Sequence, residues 1–283
     1  ALANDDYAWE ETRKFEVALD LGFFEDRLNL EIVHYRNRSS NQLLLYQLPG
    51  TTGFSGVVQN MDATVENSGM ELLMSGSPVK TRSFQWNVGL NLTVPKNRLV
   101  AFPNLETSPY ASFYMVGKPL NIAKVYNYMG VDPTTGLYKV LDVDGNGWLD
   151  DVDRNKVMKL DRQFYGGLNN SFSFKRLELS FLVQFSRQHN GAGTIYMSGF
   201  DRENIPLEVY QSSWRKPGDV ARYQQISRDF GKINQPLNEA RGSEFYYRDN
   251  SFLRLKTVSM AYSFNPEWLG RKGIRNAKVF FQG

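Results

Sequence analysis

The sequence predicts an all-β fold, namely a portion of an antiparallel transmembrane β-barrel with long loops at one end of its strands. Three observations predict it. Aromatic residues make up 14% of the 283 residues, and aromatic and β-branched side chains favour pleated, half-buried surfaces. Apolar and polar residues alternate strictly in several segments. Short connections between these segments alternate along the chain with long ones.

The clearest predicted strand covers residues 83–94, "SFQWNVGLNLTV", in which apolar residues occupy one face and polar or small residues the other. Strict alternation over this length predicts a strand longer than the usual length of about 5–6 residues. Residues 14–23 and 177–185 alternate in the same way. The predicted strands are 13–23, 27–37, 63–76, 82–94, 164–174, 177–187, 247–264 and 275–283.

The connections divide these strands into four hairpins. Short turns are predicted at residues 23–29, 75–83, 173–179 and 264–278, the last with room for a helical turn after Pro266. The connections between hairpins are far longer and cover residues 38–62, 95–163 and 188–245. Outer-membrane barrels have this arrangement, with short periplasmic turns, long extracellular loops and strands that alternate between lipid and lumen. A soluble β-sandwich gives the same alternation and is the alternative.

The chain is expected to be a piece of a larger barrel. Its first residues already follow a strand-like pattern, and its last residues, "NAKVFFQG", end within or just after a strand. A small eight-stranded barrel has an interior filled by side chains, whereas loops this long suit a larger and partly plugged barrel. The N-terminus has no signal-peptide pattern. No window approaches the roughly 18 apolar residues of a membrane helix.

Composition excludes several classes of function. The formal charge of +3 arises from 33 basic and 30 acidic residues that are scattered along the chain, so no nucleic-acid partner is expected. The chain has no cysteine, which excludes disulfides, thiolate metal sites and cysteine nucleophiles. His34 and His189 fall in different hairpins, and no phosphate-binding loop or nucleophile elbow is present. The sequence therefore predicts a protein that is not an enzyme.

The acidic stretch "DVDGNGWLDDVD", residues 142–153, matches a calcium loop of the EF-hand type. Gly147 takes the position of the sharp bend, and calcium binds carboxylate, amide and backbone oxygens that alternate around such a turn. A structural Ca²⁺ site is predicted, with Trp148 contributing its backbone carbonyl. The predicted ligands are Asp142, Asp144, Asn146, Trp148, Asp150 and Asp153.

This calcium assignment has an alternative and a weak point. Asp, Asn and Gly also dominate turns for backbone reasons, so the stretch is alternatively a loop without metal. Asp153 stands where a longer, bidentate Glu is usual. Residues 136–141 look extended, whereas residues 150–160 are predicted to form a short exiting helix. Mg²⁺ is disfavoured because it demands stricter octahedral geometry.

The aromatic residues of the long connections have two interpretations. Their faces can stack on sugar rings or pack against a partner, or they can pin each long loop to itself. The stretch "WRKPGD", residues 214–219, is predicted to be a turn, with Pro217 and Gly218 supplying its geometry. The aromatic residues concerned are Tyr110, Phe113, Tyr114, Tyr196, Tyr210, Trp214 and Tyr223.

Several segments together resemble the SusC/RagA family, the TonB-linked outer-membrane nutrient transporters of Bacteroidetes. The first is "WEETRKFEVALDLGFFEDRLNLEIVHYRNRSSNQLL", and "NMDATVENSGMEL", "FQWNVGLNLTVPKNRLV" and "GVDPTTGLYKVLDVDGNGWLDDVDR" follow it in order. "WRKPGD" and "YYRDNSFLRLKTVSMAYSFNPEWL" complete the set. The resemblance covers essentially the whole chain.

The resemblance implies that residues 1–283 are a partial TonB-dependent receptor β-barrel domain, about eight strands from the C-terminal part of a 22-stranded barrel. The signal peptide and the plug domain would lie outside this chain. The implied location is the outer membrane, in contact with its lipid. The implied partners are a SusD-like lipoprotein and, through the plug, the TonB complex. The implied activity is import of an oligosaccharide or a peptide without a covalent step.

Two other classes of protein remain as alternatives. A secreted, calcium-stabilised β-sandwich that binds carbohydrate or mediates adhesion would explain the acidic loop and the alternating strands. It would not explain why the short turns all fall at one end. A glycoside-cleaving β-enzyme is a more distant alternative, because its two carboxylates need a defined separation that the sequence does not supply.

Overall fold

The computed structural model describes residues 7–191, 204–265, 268, 270 and 274–283. The chain divides into two compact units. The first, called the sheet unit, comprises residues 1–103, 162–188 and 251–283. The second, called the loop unit, comprises residues 104–161 and 189–250.

Strands dominate the described part of the chain. Two α-helices, α1 (Leu207–Gln211) and α2 (Phe230–Arg241), and three 3-10 turns, Gly50–Thr52, Leu105–Thr107 and Glu244–Tyr246, lie between them. The strands are β1 Glu11–Phe23, β2 Leu28–Ser40, β3 Gln42–Gln47, β4 Gly56–Met61, β5 Thr64–Lys80, β6 Phe84–Ala101, β7 Ile122–Val125, β8 Tyr128–Val131, β9 Tyr138–Val140, β10 Lys156–Lys159, β11 Phe164–Phe174, β12 Leu177–Arg187, β13 His189–Gly191, β14 Tyr247–Asp249, β15 Phe252–Ser263 and β16 Lys278–Gln282.

The sheet unit contains one eight-stranded sheet in the order β1-β2-β5-β6-β11-β12-β15-β16, and every neighbouring pair is antiparallel. Strands β3 and β4 form a separate hairpin within the connection between β2 and β5. The eight predicted strands are therefore confirmed as an all-β antiparallel sheet. They hydrogen-bond side by side in one open sheet, which contradicts the division into two packed sheets that a sandwich requires.

The strand boundaries agree closely with the prediction in the centre of the sheet and less well at its loop end. Strands β11 and β12 have the predicted bounds, whereas β5 and β6 extend to 17 and 18 residues. The predicted strand 247–264 is wrong at its start, because Tyr247–Asp249 pairs with β13 in another sheet. The helical turn predicted after Pro266 lies mostly outside the described residues.

The two faces of the eight-stranded sheet differ in polarity. Directly opposed residues of antiparallel strands project to the same face, so the register assigns each residue to a face. One row runs through Leu21, Leu30, Met74, Leu90 and Leu168. The neighbouring row, on the opposite face, runs through Asp20, Glu31, Leu73, Asn91 and Gly167.

The apolar face is uncovered in the described structure. On β1 the side chains of Phe15, Val17 and Leu19 are 59%, 53% and 52% exposed. A soluble protein rarely leaves so continuous an apolar surface in water. Lipid is the solvent that matches this face, and the opposite, polar face matches the lumen of a barrel.

This assignment predicts opposite outcomes for neighbouring substitutions on β6. We expect Leu90→Arg to destabilise folding into phospholipid vesicles by up to about 2–4 kcal/mol, because it places a charge on the lipid face. Asn91→Arg adds the same charge on the polar face and should cost far less. Equilibrium unfolding in guanidinium, followed by tryptophan fluorescence, measures both. Equal losses for the two variants would contradict the assignment of the faces.

The loop unit has a hydrophobic core of its own. The core cluster consists of Tyr138, Val209, Tyr223, Leu237 and Ala240, and the two α2 residues among them are fully buried. The Asp229 carboxylate caps α2 by accepting a hydrogen bond from the backbone N–H of Lys232 (3.2 Å). The connections 95–163 and 188–245, expected as long loops, thus contribute most of their length to one folded unit.

No helix among the described residues has the length and apolar character needed to cross a membrane.

Candidate functional site

The acidic loop lies between β9 and β10 in the loop unit. One carboxylate oxygen from each of Asp142, Asp144 and Asp153 lies within 4.8 Å of the others. The Asp142 carboxylate accepts hydrogen bonds from the backbone N–H groups of Gly145 (2.8 Å) and Gly147 (2.9 Å), which close the turn. The sequence therefore brings three of its predicted ligands together at one point.

Asp153 differs from the other acidic residues of the loop because it is fully buried. Its Oδ1 accepts a hydrogen bond from the backbone N–H of Val143 (2.6 Å), and its Oδ2 accepts one from that of Asp150 (2.9 Å). The last residue of the motif thus ties the beginning of the loop to its end. A carboxylate oxygen carries two lone pairs, so each can accept a backbone N–H and still face a cation.

The remaining predicted ligands lie at the edge of this group. The Asn146 side-chain oxygen accepts a hydrogen bond from the backbone N–H of Trp148 (2.7 Å), whose ring is 77% exposed. The Asp150 Oδ1 accepts one from the backbone N–H of Val152 (2.7 Å), and Asp150 is not among the three gathered carboxylates. The exiting helix predicted at 150–160 is wrong. A turn followed by β10 takes its place, because β10 pairs with β7.

The hydrogen bonds that close the loop also perturb its electrostatics. The N–H of Gly147, followed by that of Gly145, holds the pKa of Asp142 below its ordinary value of 3.8. The ionised carboxylate therefore stabilises the folded loop above that value, and this contribution is lost as the pH falls through the lowered pKa.

We expect acidification below pH 3.8 to open the acidic loop and shift the fluorescence of the nearby Trp148. Asp142→Asn removes the titrating group and should abolish this transition. Asp151→Asn changes a carboxylate whose side chain is 82% exposed and should leave the transition in place. An unchanged titration in Asp142→Asn would assign the transition to other groups.

A cleft of about 590 Å³ borders the acidic loop on the side of α2. Its lining includes Trp148 and Arg154 from the loop and Asn238 and Glu239 from α2. The Arg154 guanidinium lies 4.9 Å from the centre of the Tyr126 ring. An aromatic face beside amide, carboxylate and guanidinium groups suits a ligand with many hydroxyl or amide groups. Helix α2 was not predicted from the sequence, so its residues in this cleft were not identified as candidate site residues.

A second contact joins two sequence motifs of the loop unit. The indole N–H of Trp214 and the backbone N–H of Gly218 both donate to the Pro133 carbonyl oxygen, at 3.0 and 2.9 Å. The Trp214 ring covers Gly136, where a β-carbon would come within 2.3 Å of the ring. The predicted turn at 214–219 is confirmed, and Gly218 has a φ of +94°.

The loop aromatics mostly hold the loops in place. Tyr223 is buried in the core cluster, and the Arg215 guanidinium lies 4.7 Å from the centre of the Tyr210 ring. The rings of Tyr110 and Tyr114 lie 6.1 Å apart. Phe113 is 64% exposed and is the member of the set best placed for an external contact. Tyr196 lies outside the described residues.

Two further tyrosines of the loop unit form an aromatic cluster with Phe245. The Tyr128 and Phe245 rings stack with their centres 4.4 Å apart, and Tyr138 lies 5.4 Å from Phe245. Burial raises the pKa of both tyrosines, chiefly by desolvating the phenolate form. Both therefore remain neutral packing residues at physiological pH. Of the two histidines, His34 lies on β2 and His189 lies on β13.

The polar face of the sheet unit carries a second concavity, of about 640 Å³. Asp20, Asn29 and Glu31 line it on β1 and β2, and Asn91 and Asn169 line it further along the sheet. These groups provide hydrogen-bond acceptors and donors but no cluster typical of catalysis.

Comparison with known proteins finds proteins that resemble this chain along its length. Residues 1–132 match the family described as TonB dependent receptor-like, beta-barrel. The TonB-dependent receptor P3 of Formosa agariphila is 23% identical over 100% of this chain and 30% of its own length. The TonB-dependent receptor SusC of Bacteroides thetaiotaomicron is 22% identical over 94% of this chain and 27% of its own length.

A structure of the RagAB peptide transporter has the same fold, with a TM-score of 0.80 and 20% identity over 99% of this chain and 32% of that chain. The RagAB peptide importer in its open-open state gives a TM-score of 0.78 at 20% identity over 99% of this chain and 31% of that chain. The chain spans about a third of the length of these proteins. The chain is therefore similar in sequence and fold to part of the β-barrel of SusC/RagA-like TonB-dependent receptors, a class of outer-membrane proteins.

Proposed function

We propose that this chain forms part of the barrel wall of a TonB-dependent importer that carries an oligosaccharide or a peptide across the outer membrane. The observation that carries the proposal is the match along the whole chain to TonB-dependent receptors. The uncovered apolar face and the polar opposite face of the eight-stranded sheet support it, since a lumen needs a hydrated wall. The protein would act by binding and gating, without enzymatic chemistry.

A SusD-like surface lipoprotein is the proposed partner on the loop side, and the TonB complex is the proposed source of energy through a plug domain. The loop unit supports the first part, because it is a folded body with its own core. Its cleft beside Trp148 supplies aromatic and amide groups suited to either substrate class. The RagAB structures are of a peptide transporter, which favours peptide as the first class to test.

Depletion of nutrients from the medium tests this function. A strain that lacks the protein is given a mixture of peptides and a mixture of oligosaccharides, each too large for porins, and mass spectrometry follows both. We expect one class to persist in the medium and to disappear again when the intact gene is restored. A strain without TonB should show the same defect. Normal depletion of both classes without the protein would overturn the proposal.

We also propose that Ca²⁺ binds the acidic loop and stabilises it. Asp142, Asp144 and Asp153 would hold the ion, with Asn146, Asp150 and the Trp148 carbonyl completing the set. The gathered carboxylates fit a hard cation, and the ion would relieve their mutual repulsion. Its role would be structural.

Calorimetric titration and thermal unfolding test the calcium proposal. At about 100 times its dissociation constant, Ca²⁺ should stabilise the folded loop unit by about 2.7 kcal/mol. Asp142→Asn with Asp144→Asn should remove the binding heat, whereas Asp151→Asn should retain it. Equal stabilisation by Mg²⁺ would contradict calcium selectivity, and the absence of a binding heat in the unaltered protein would sink the proposal.

A further inference from the structure

A group of basic residues interrupts the apolar face of the sheet unit at its loop end. The register places Arg36 of β2 opposite Phe15 on one side and Ser68 on the other, and Ser68 lies opposite Lys96. The next row towards the loops contains Arg13, Arg38, Glu66 and Arg98. We call the basic residues Arg13, Arg36, Arg38, Lys96 and Arg98 the basic rim.

On β2, the basic rim lies at the height where an outer-membrane barrel leaves the hydrocarbon layer. Leu28 is the first residue of β2 at the turn end of the sheet. Arg36 and Arg38 follow it by eight and ten residues along the same strand. With about 3.4 Å per residue and a strand tilt of about 40°, these rows lie roughly 21 and 26 Å above the turn end. The apolar band of such barrels is about 25 Å tall. Since the long loops mark the extracellular side, the basic rim faces the outer leaflet.

The basic rim carries more positive charge than the protein neutralises. Glu66 accepts from Arg36 Nε (2.8 Å) and Arg38 Nε (2.7 Å), and Arg98 Nη2 lies 3.4 Å from its other oxygen. Glu11, one row further towards the loops, supplies the second carboxylate on this face. Five basic side chains therefore face two carboxylates, and Arg13 lies directly opposite Arg38, an arrangement that is unfavourable without an anion.

The geometry around Glu66 leaves the guanidinium groups able to hold another anion. The Glu66 side chain is 11% exposed, whereas those of Arg36, Arg38 and Arg98 are 47%, 43% and 51% exposed. Each guanidinium carries five N–H donors, and its contacts with Glu66 use one or two of its nitrogens. Glu66 thus holds the three groups side by side, and about half of each arginine side chain stays exposed. Phosphate oxygens match such a planar, bidentate donor set.

We infer that the basic rim binds the phosphate groups of outer-leaflet lipid, so that it fixes the depth of the barrel wall in the membrane. The apolar rows immediately below it would hold the acyl chains of the same lipid, which makes a lipid the occupant rather than free phosphate. The inference rests on the location in the outer membrane and is independent of what the importer carries.

Lipid retention tests this inference on the detergent-purified protein. The probes are dioleoyl phosphatidic acid and dioleoylglycerol, which share their acyl chains and differ in the phosphate. Mass spectrometry counts the lipid bound per protein. We expect phosphatidic acid to bind in preference to dioleoylglycerol. Arg13→Gln with Lys96→Gln, which leaves the Glu66 contacts intact, should weaken its binding roughly tenfold.

A matched control lies at the other end of the sheet, where Lys175 and Arg176 occupy the tip of the β11–β12 turn. Lys175→Gln with Arg176→Gln removes the same charge and should bind phosphatidic acid as the unaltered protein does. Equal binding of the two probes, or equal loss in both double variants, would overturn the inference. Complete displacement by inorganic phosphate would overturn the lipid assignment in favour of a free-phosphate site. Circular dichroism confirms that each variant retains its strands.

Discussion

Gly136→Ala is expected to destabilise the loop unit by about 2–5 kcal/mol. Gly136 has a φ of +70°, a left-handed conformation that costs a residue with a β-carbon about 1–2 kcal/mol. The new β-carbon would also meet the Trp214 ring at 2.3 Å, and overpacking of this kind costs about 1–3 kcal/mol. Trp214 would have to leave the Pro133 carbonyl, which would release the turn at 214–219.

Hydrogen–deuterium exchange measures this effect locally, through the protection of the α2 amides. Gly145→Ala is the matched control, because Gly145 has nearly the same φ, +71°, and open space around its α-carbon. It isolates the backbone strain from the clash and should lose only the smaller part of the stability. If the α2 amides exchanged at the same rate in both variants, the clash with the Trp214 ring would contribute nothing to the loss of stability.

The second large effect is expected for Asp153→Ala, at about 4 kcal/mol. Removal of the carboxylate leaves the backbone N–H groups of Val143 and Asp150 without their acceptor. Both hydrogen bonds are part-buried, and each donor left unsatisfied costs at most about 1–3 kcal/mol. The acidic loop should then open at both ends, and cleavage by a protease within residues 142–153 should become faster.

Asp151→Ala is the control for this variant. Asp151 is two residues away, and its ion pair with Arg154 has a long separation of 3.9 Å. Exposed pairs of this kind contribute about 0–1 kcal/mol, so the rate of cleavage should hardly change. Similar cleavage rates for Asp153→Ala and the unaltered protein would show that the loop does not depend on its buried carboxylate.

The sequence was sufficient to predict the eight-stranded sheet because strands that face two different solvents must alternate. That constraint acts on every residue of β6, so one face reads Phe84, Trp86, Val88 without interruption. The strand ends were predicted less well. Beyond the apolar band the alternation no longer separates lipid from water, and the extra residues of β5 and β6 are held by pairing with each other.

The loop unit could not be predicted in the same way. Its core brings together residues far apart in the chain, such as Tyr138 and Leu237. No local sequence pattern predicts such contacts. Helix α2 did carry a local signal, with Asp229 at its start and apolar residues at 233, 237 and 240. Pro236 lies within the same stretch, and proline is unfavourable in a helix interior. The acidic loop was predictable because its oxygens cluster through turns of short range, whereas the burial of Asp153 was not.

The length of β6 has a mechanical consequence. Past Lys96, in the basic rim, β6 continues for five residues to Ala101, paired with β5 almost to its end. At about 3.4 Å per residue and a tilt of about 40°, this extends the wall roughly 13 Å above the lipid phosphates. A hydrogen-bonded ladder resists bending far better than a single strand. This part of the wall would therefore stand clear of the bilayer, and its stiffness would come from the pairing of β5 with β6 rather than from the surrounding lipid.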